Sequence, residues 1–152
     1  MKKFFIALLS IFSFSACTKD YAATDRASID KWLADNNLTA NAVFTSEGVC
    51  YVETAAGTGG NPTISNSVTV HYEGFLLDNT KFDSSRDRGT PATFGLNQVI
   101  KGWQIGIPLF KRGGTGQLLI PSNYAYGNNP PSGSDIPKRA VLHFTIELIN
   151  IQ

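Results

Sequence analysis

The sequence predicts an α+β fold: a small antiparallel sheet with one short helix laid across it, preceded by a second short helix. Three observations carry that expectation. Apolar and polar residues alternate over residues 68–73 and 142–148, the period of a half-buried strand. Residues 97–107 place Val99, Ile100, Trp103 and Ile107 along one helical side. None of the fourteen glycines precedes Gly48 and none of the seven prolines precedes Pro62, so the architecture changes partway along the chain.

The chain has 152 residues, 42% of them hydrophobic and 16% charged, enough for one domain with its own core. Thirteen basic residues balance twelve acidic ones without a basic block, which argues against nucleic acid as a partner. Two cysteines make no disulfide framework, and two histidines without metal-ligand spacing point to no metal and no cofactor.

In chain order, residues 1–16 have the layout of a secretory signal peptide, with Met1-Lys2-Lys3 as the basic start and a thirteen-residue apolar run behind it. As a helix that run reaches only about 20 Å, short of the roughly 30 Å hydrocarbon core. It ends Phe14-Ser15-Ala16-Cys17, which resembles a bacterial lipobox, with Phe14 where an aliphatic residue is usual. Cys17 is thus the expected lipidation site and acyl chains the expected membrane anchor. Thr18, where aspartate would retain a lipoprotein at the inner membrane, resembles the outer-membrane sorting pattern. The expected location is the bacterial cell envelope, at the outer membrane, facing the periplasm or the exterior.

Residues 17–45 are expected to form a lipid-anchored tether and a short helix. Thr24 is the expected N-cap, Asp25 sits in the first turn, and Ile29, Trp32 and Leu33 form an apolar stripe ending near Asn36-Asn37. Trp32 is expected to pack on the following domain, residues 46–152. There, strands are expected at residues 49–54, 68–73, 81–82, 117–120 and 142–148. Asn97 is a candidate cap for the central helix, which Pro108 limits.

His71 and His143 fall opposite the apolar sets and are read as solvated strand residues. Cys50, with no histidine or carboxylate beside it in sequence, is read as a small strand or core residue. Lys111-Arg112-Gly113-Gly114-Thr115-Gly116 lacks the Gly-Lys-Ser/Thr ending that cradles phosphate, and no Gly-x-Ser-x-Gly elbow occurs. Two loops stand out. Residues 121–137 are rich in Pro, Gly, Asn and Ser yet hold Tyr124, Tyr126 and Ile136. Residues 83–88 form a charged run directly after Phe82.

Five blocks carry a family resemblance: residues 70–76 (VHYEGFL), 81–88 (KFDSSRDR), 99–103 (VIKGW), 120–127 (IPSNYAYG) and 142–148 (LHFTIEL). In this order and spacing, over about residues 46–152, they resemble the macrolide-binding FKBP family of peptidyl-prolyl isomerases. The resemblance implies a five-stranded antiparallel sheet wrapped around one short helix, with an apolar pocket between them. It implies Tyr72, Phe82, Phe94 and Phe144 as pocket walls, Trp103 as the floor, and Val99 and Ile100 at the helix start, where the Ile100 N–H bonds the ligand. It also implies a hydroxyl from Tyr126, a loop-side wall from Ile136, and an Asp83 carboxylate held by Tyr72 and Arg88. The chain departs from the pattern at Ala92, where many members carry an aromatic, and at Asn128-Asn129-Pro130-Pro131, where a histidine is common.

What the resemblance implies chemically is cis-trans isomerisation of X–Pro bonds in exported proteins, with no nucleophile. The planar amide owes its rotation barrier of roughly 18–20 kcal/mol to resonance. An apolar pocket favours the twisted, less polar amide over the planar one. The implied partners are proline-containing polypeptides and macrolide inhibitors. The alternative function is a non-catalytic chaperone or adaptor that holds proline segments. A monomer is expected.

Overall fold

The computed structural model describes residues 21–152, so the signal-peptide and Cys17 readings lie outside the described residues. Helix α1 (Tyr21–Asp35) presents Ile29, Trp32 and Leu33 to the protein interior. It ends as a helix followed by a left-handed asparagine should. Asn37 has φ +57°, its N–H donates to the Ala34 carbonyl at 3.1 Å, and the Leu38 N–H donates to the Leu33 carbonyl at 2.8 Å. Thr24 and Asp25 correct the sequence expectation. Both lie inside α1, which already runs from Tyr21, so Thr24 is no N-cap and Asp25 is not in the first turn. Cap-favouring residue types announce a helix start only where the backbone before them leaves the helix.

Among the described residues, seven strands form one antiparallel sheet. They are β1 (Ala42–Phe44), β2 (Cys50–Ala55), β3 (Ser67–Leu76), β4 (Lys81–Ser84), β5 (Ala92–Gly95), β6 (Thr115–Ile120) and β7 (Leu142–Ile151). The order is β1-β2-β6-β7-β3-β4, and β5 pairs with β3 on the same side as β4. Taken together, β4 and β5 make one interrupted edge, so the five expected strand positions are β2, β6, β7, β3 and this edge. The three-residue β1 is an addition that alternation over so short a stretch does not signal. It pairs Ala42 with Val52 and Phe44 with Cys50, so residues on both sides of Ser46 share the sheet.

Register shifts interrupt the ladders at Thr69/Val70, Glu53/Ala55 and Gly74/Phe75. Such irregularities bend and twist strands, which lets the sheet curl. Into the hollow fits α2 (Lys101–Gly106), flanked by 3-10 turns at Leu96–Gln98 and Ile107–Leu109. Ile100, not Asn97, occupies its N-cap position, because residues 96–98 already close a separate turn. A Cβ at Gly102 would lie 2.2 Å from Ile120 Cγ2, so the absent side chain is what allows α2 to touch β6.

Two apolar clusters use the two faces of the sheet. The larger unites α2 with Val68, Val70, Tyr72, Leu118, Leu142, Phe144, Ile146 and Leu148. The smaller joins Ile29, Trp32 and Leu33 of α1 to Cys50, Val52, Leu119 and Val141. Trp32 thus packs on the sheet as expected, and Cys50 is a buried strand residue whose thiol burial pushes up to about 12.

His143 is corrected. It faces away from α2 but is only 6% exposed, because α1 covers that face. Its ring lies 4.4 Å from Trp32 and 5.6 Å from Phe75, and its Nε2 sits 2.9 Å from Gln117 Oε1. Desolvation lowers its pKa to about 4. His71 is half-buried, with Nδ1 3.0 Å from Ser85 Oγ, so it too is more enclosed than expected.

Candidate active site

Between α2 and the concave face of the sheet lies a cavity of about 290 Å³. Nine residues singled out by sequence line it: Tyr72, Phe82, Asp83, Phe94, Val99, Ile100, Trp103, Tyr126 and Phe144. They arrive from β3, β4, β5, the approach to α2, α2 itself, the loop after β6, and β7. Arg88 reaches the rim through Asp83. Ile136 is buried in the same core cluster but is not among the lining residues, and Ala92 and residues 128–131 do not line the cavity either.

Trp103 is the hub. Its ring centroid is 5.3 Å from Tyr72, 5.6 Å from Phe94 and 5.3 Å from Phe144, with interplanar angles of 88°, 89° and 81°. Edge-to-face pairs set the positive ring edge against the negative face, worth about 0.5–1.5 kcal/mol each beyond burial. Phe82 meets Phe144 in the same way at 5.6 Å. This mesh leaves no room behind it. A Cβ at Gly74 would stand 2.6 Å from Phe82 Cε2 and 2.9 Å from Phe144 Cε1, so glycine there is a condition of the wall.

The polar side of the cavity is a closed triangle. The Tyr72 hydroxyl donates to Asp83 Oδ2, Arg88 Nη1 donates to Asp83 Oδ1, and Arg88 Nη2 donates to the Tyr72 oxygen at 2.9 Å. The Ser84 N–H adds a bond to Asp83 Oδ1 at 2.8 Å. Partial burial alone would raise the Asp83 pKa; the hydrogen bonds from Tyr72 and Arg88 and the Arg88 charge outweigh it and hold the carboxyl below its usual range. Tyr72 is pushed up, first by desolvation and then by its carboxylate partner. Tyr126 is also raised, by desolvation and by the Asp83 charge. Both phenols therefore keep their protons near neutral pH, and that of Tyr72 is donated to Asp83.

Two contributors escaped the sequence. Gln98 lines the cavity from the turn before α2, and nothing in its neighbours distinguishes it from a surface amide. Ser85 is fully buried. Its Oγ accepts from the Tyr72 N–H at 2.8 Å, and its own N–H donates to the Tyr72 carbonyl at 3.0 Å. That pair of hydrogen bonds to β3 holds the charged loop against the site. The signal was the serine pair inside an otherwise ionic run.

The family model described as FKBP-type peptidyl-prolyl cis-trans isomerase matches residues 59–149. Among curated proteins, the FKBP-type isomerase FkpA of Aeromonas hydrophila is 44% identical over 81% of this chain and 45% of its own length. Outer membrane protein MIP of Legionella longbeachae is 37% identical over 86% of this chain and 56% of its own length. The chain thus spans about half the length of the curated relatives it matches. Among solved structures, FkpA from Escherichia coli superposes with a TM-score of 0.75 at 35% identity, covering 86% of this chain and 61% of that one. The structure of AtFKBP13 gives 0.66 at 33% identity, covering 73% of this chain and 98% of that one. With the family pattern matched over most of the sheet and the aromatic cavity formed where its blocks converge, the chain belongs to the FKBP-type peptidyl-prolyl cis-trans isomerases.

Proposed function

We propose that the protein catalyses cis-trans isomerisation of X–Pro bonds in exported polypeptides. The observation that carries this is the cavity itself, a cup of edge-to-face aromatic rings over Trp103 with the bonded Tyr72, Asp83 and Arg88 along one side. A proline ring seats on Trp103 between Phe82, Phe94 and Phe144. The carbonyl before it loses its water shell on entry, which raises the energy of the planar, polar amide more than that of the twisted one. Tyr126 offers its hydroxyl to a substrate carbonyl, and the Ile100 N–H, at the N-cap of α2, fixes the segment after proline. Asp83 keeps Tyr72 and Arg88 in place at the wall. Arg88 and Ile136 serve the site through Asp83 and the loop, respectively.

The names of the relatives, one of them an outer membrane protein, support work in the cell envelope. The lipobox-like stretch at Cys17 supports an acyl anchor ahead of α1, which with β1 packs into the same folded unit as residues 46–152. No described helix is long and apolar enough to cross a membrane. The test is a protease-coupled isomerisation assay on X–Pro peptides with the full chain and with Phe82→Ala and Tyr126→Phe. Turnover that falls in both variants supports the enzyme. Peptide binding without turnover in the parent overturns it in favour of a proline-segment chaperone.

A further inference from the structure

Helix α1 lies before the matched family segment, yet it is wired to the cavity. Asp25, only 5% exposed, accepts two hydrogen bonds at one oxygen: its Oδ2 lies 2.8 Å from the Ser122 N–H and 2.7 Å from Ser122 Oγ. Ser122 is fully buried and opens the 3-10 turn Ser122–Tyr124. Its carbonyl accepts from the Ala125 N–H at 3.2 Å and the Gly127 N–H at 2.9 Å, the residues on either side of Tyr126. The Gly127 carbonyl accepts from the Arg139 N–H at 2.7 Å. The Arg139 guanidinium in turn lies 3.6 Å over the ring of Tyr21, back on α1. The contacts form a circuit that leaves α1 at Asp25, passes both neighbours of Tyr126, closes the neck of the loop that holds Ile136, and returns to α1 at Tyr21.

We propose that α1 is a working part of the site, with Asp25 a positioning residue that sets the place of Tyr126 through Ser122. Tyr21 holds the far end of the same loop through Arg139. A buried carboxylate is an expensive way merely to pack a helix, because its solvation must be replaced by directed hydrogen bonds. Both of these bonds go to Ser122, at the root of the loop. Tyr126, like Val99 and Ile100, lines the cavity from outside any regular element, so its position depends on what holds the 3-10 turn before it. The inference rests on the isomerase reading for its activity readout, but its structural readout stands apart from it.

The experiment uses the full chain with Asp25→Ala, Asp25→Asn and Tyr21→Ala, each also combined with Tyr126→Ala, at a temperature where melting curves show every variant folded. A misplacement of about 1 Å at a site can cost roughly 100-fold, so a loosened loop is expected to lower kcat/KM about tenfold in Asp25→Ala. Asp25→Asn, which retains an acceptor, recovers most of the loss. In the Tyr126→Ala background, Asp25→Ala has no further effect, because residues acting as a unit are not additive. Amide exchange at Ser122, Gly127 and Arg139 accelerates while that of β3 and β7 stays as in the parent.

A folded Asp25→Ala chain with kcat/KM within twofold of the parent, or a loss that persists undiminished on top of Tyr126→Ala, overturns the proposal. If the parent shows no turnover, the isomerase reading falls and the exchange pattern alone decides the brace: unchanged loop amides overturn it, selective acceleration upholds it. If Asp25→Ala does not fold, Asp25→Asn and Tyr21→Ala decide by the same readouts.

Discussion

Tyr72 and Asp83, eleven residues apart on neighbouring strands, share a hydrogen bond across the β3–β4 hairpin while the ring of Tyr72 stands on edge against Trp103 at 5.3 Å. One side chain therefore joins the polar rim of the cavity to its aromatic floor. Its backbone adds a third tie, through Ser85 to the charged loop. A change at any of these points is transmitted to the wall that substrate meets.

Asp83→Asn keeps the shape but removes the charge that pairs with Arg88. Both partners are substantially exposed, at 40% and 51%, so solvent screens the ion pair and its loss leaves the fold in place. The expected result is a fall in kcat/KM of roughly fivefold, which is about 1 kcal/mol. A complete loss with the fold intact would assign Asp83 to the chemical step.

Trp103→Ala removes the hub of three edge-to-face pairs and opens a void beneath the cavity. Large aromatic truncations of this kind cost about 3–5 kcal/mol. Trp103→Phe, which keeps a ring, is expected to lose less than half of that while weakening peptide binding. Urea unfolding of the two variants, read beside peptide affinity, separates floor from core; equal stability of Trp103→Ala and parent would contradict the hub.

Acid should loosen the chain through His143. It titrates at about 4 when folded, against an ordinary value of 6.5, so the unfolded chain takes up the proton first. Stability is full above about pH 6.5 and declines as the pH falls toward 4. At about 1.4 kcal/mol per unit, the loss amounts to roughly 3 kcal/mol. Asp83, held below its ordinary 3.8, adds its own loss only at still lower pH. Unfolding midpoints at pH 7.5 and 4.5 should converge in His143→Gln; the same drop in variant and parent would rule His143 out.

Gly102→Ala tests how closely α2 meets the sheet. Alanine favours a helix over glycine by about 1 kcal/mol, but overpacking a filled interior costs about 1–3 kcal/mol. The new methyl would fall 2.2 Å from Ile120 Cγ2, on a β-branched side chain that cannot swing aside. The net expectation is destabilisation, read as a lower melting temperature; a rise would show that α2 has slack.

Much of the fold was legible because it follows from local patterns. The ten-residue strands β3 and β7 each bury an apolar face against α2, so Val68, Val70 and Tyr72, and Leu142, Phe144, Ile146 and Leu148, had to alternate. The aromatic members of the cavity were legible through the family resemblance, and all six, Tyr72, Phe82, Phe94, Trp103, Tyr126 and Phe144, do meet there. The start of α1, the strands β1 and β5, and the N-cap of α2 were not, since three or four residues carry too little period to declare an element.

What tertiary structure alone decided concerns the second face of the sheet. Alternation says that His143 points away from α2; only the docking of α1 turns that outward direction into burial beside Trp32. By sequence Asp25 is an ordinary helix acid, and it becomes a buried anchor because the chain brings Ser122, ninety-seven residues later, against it. A sequence pattern reports which side of an element a residue occupies, whereas burial and partnership depend on what the rest of the chain lays over that side.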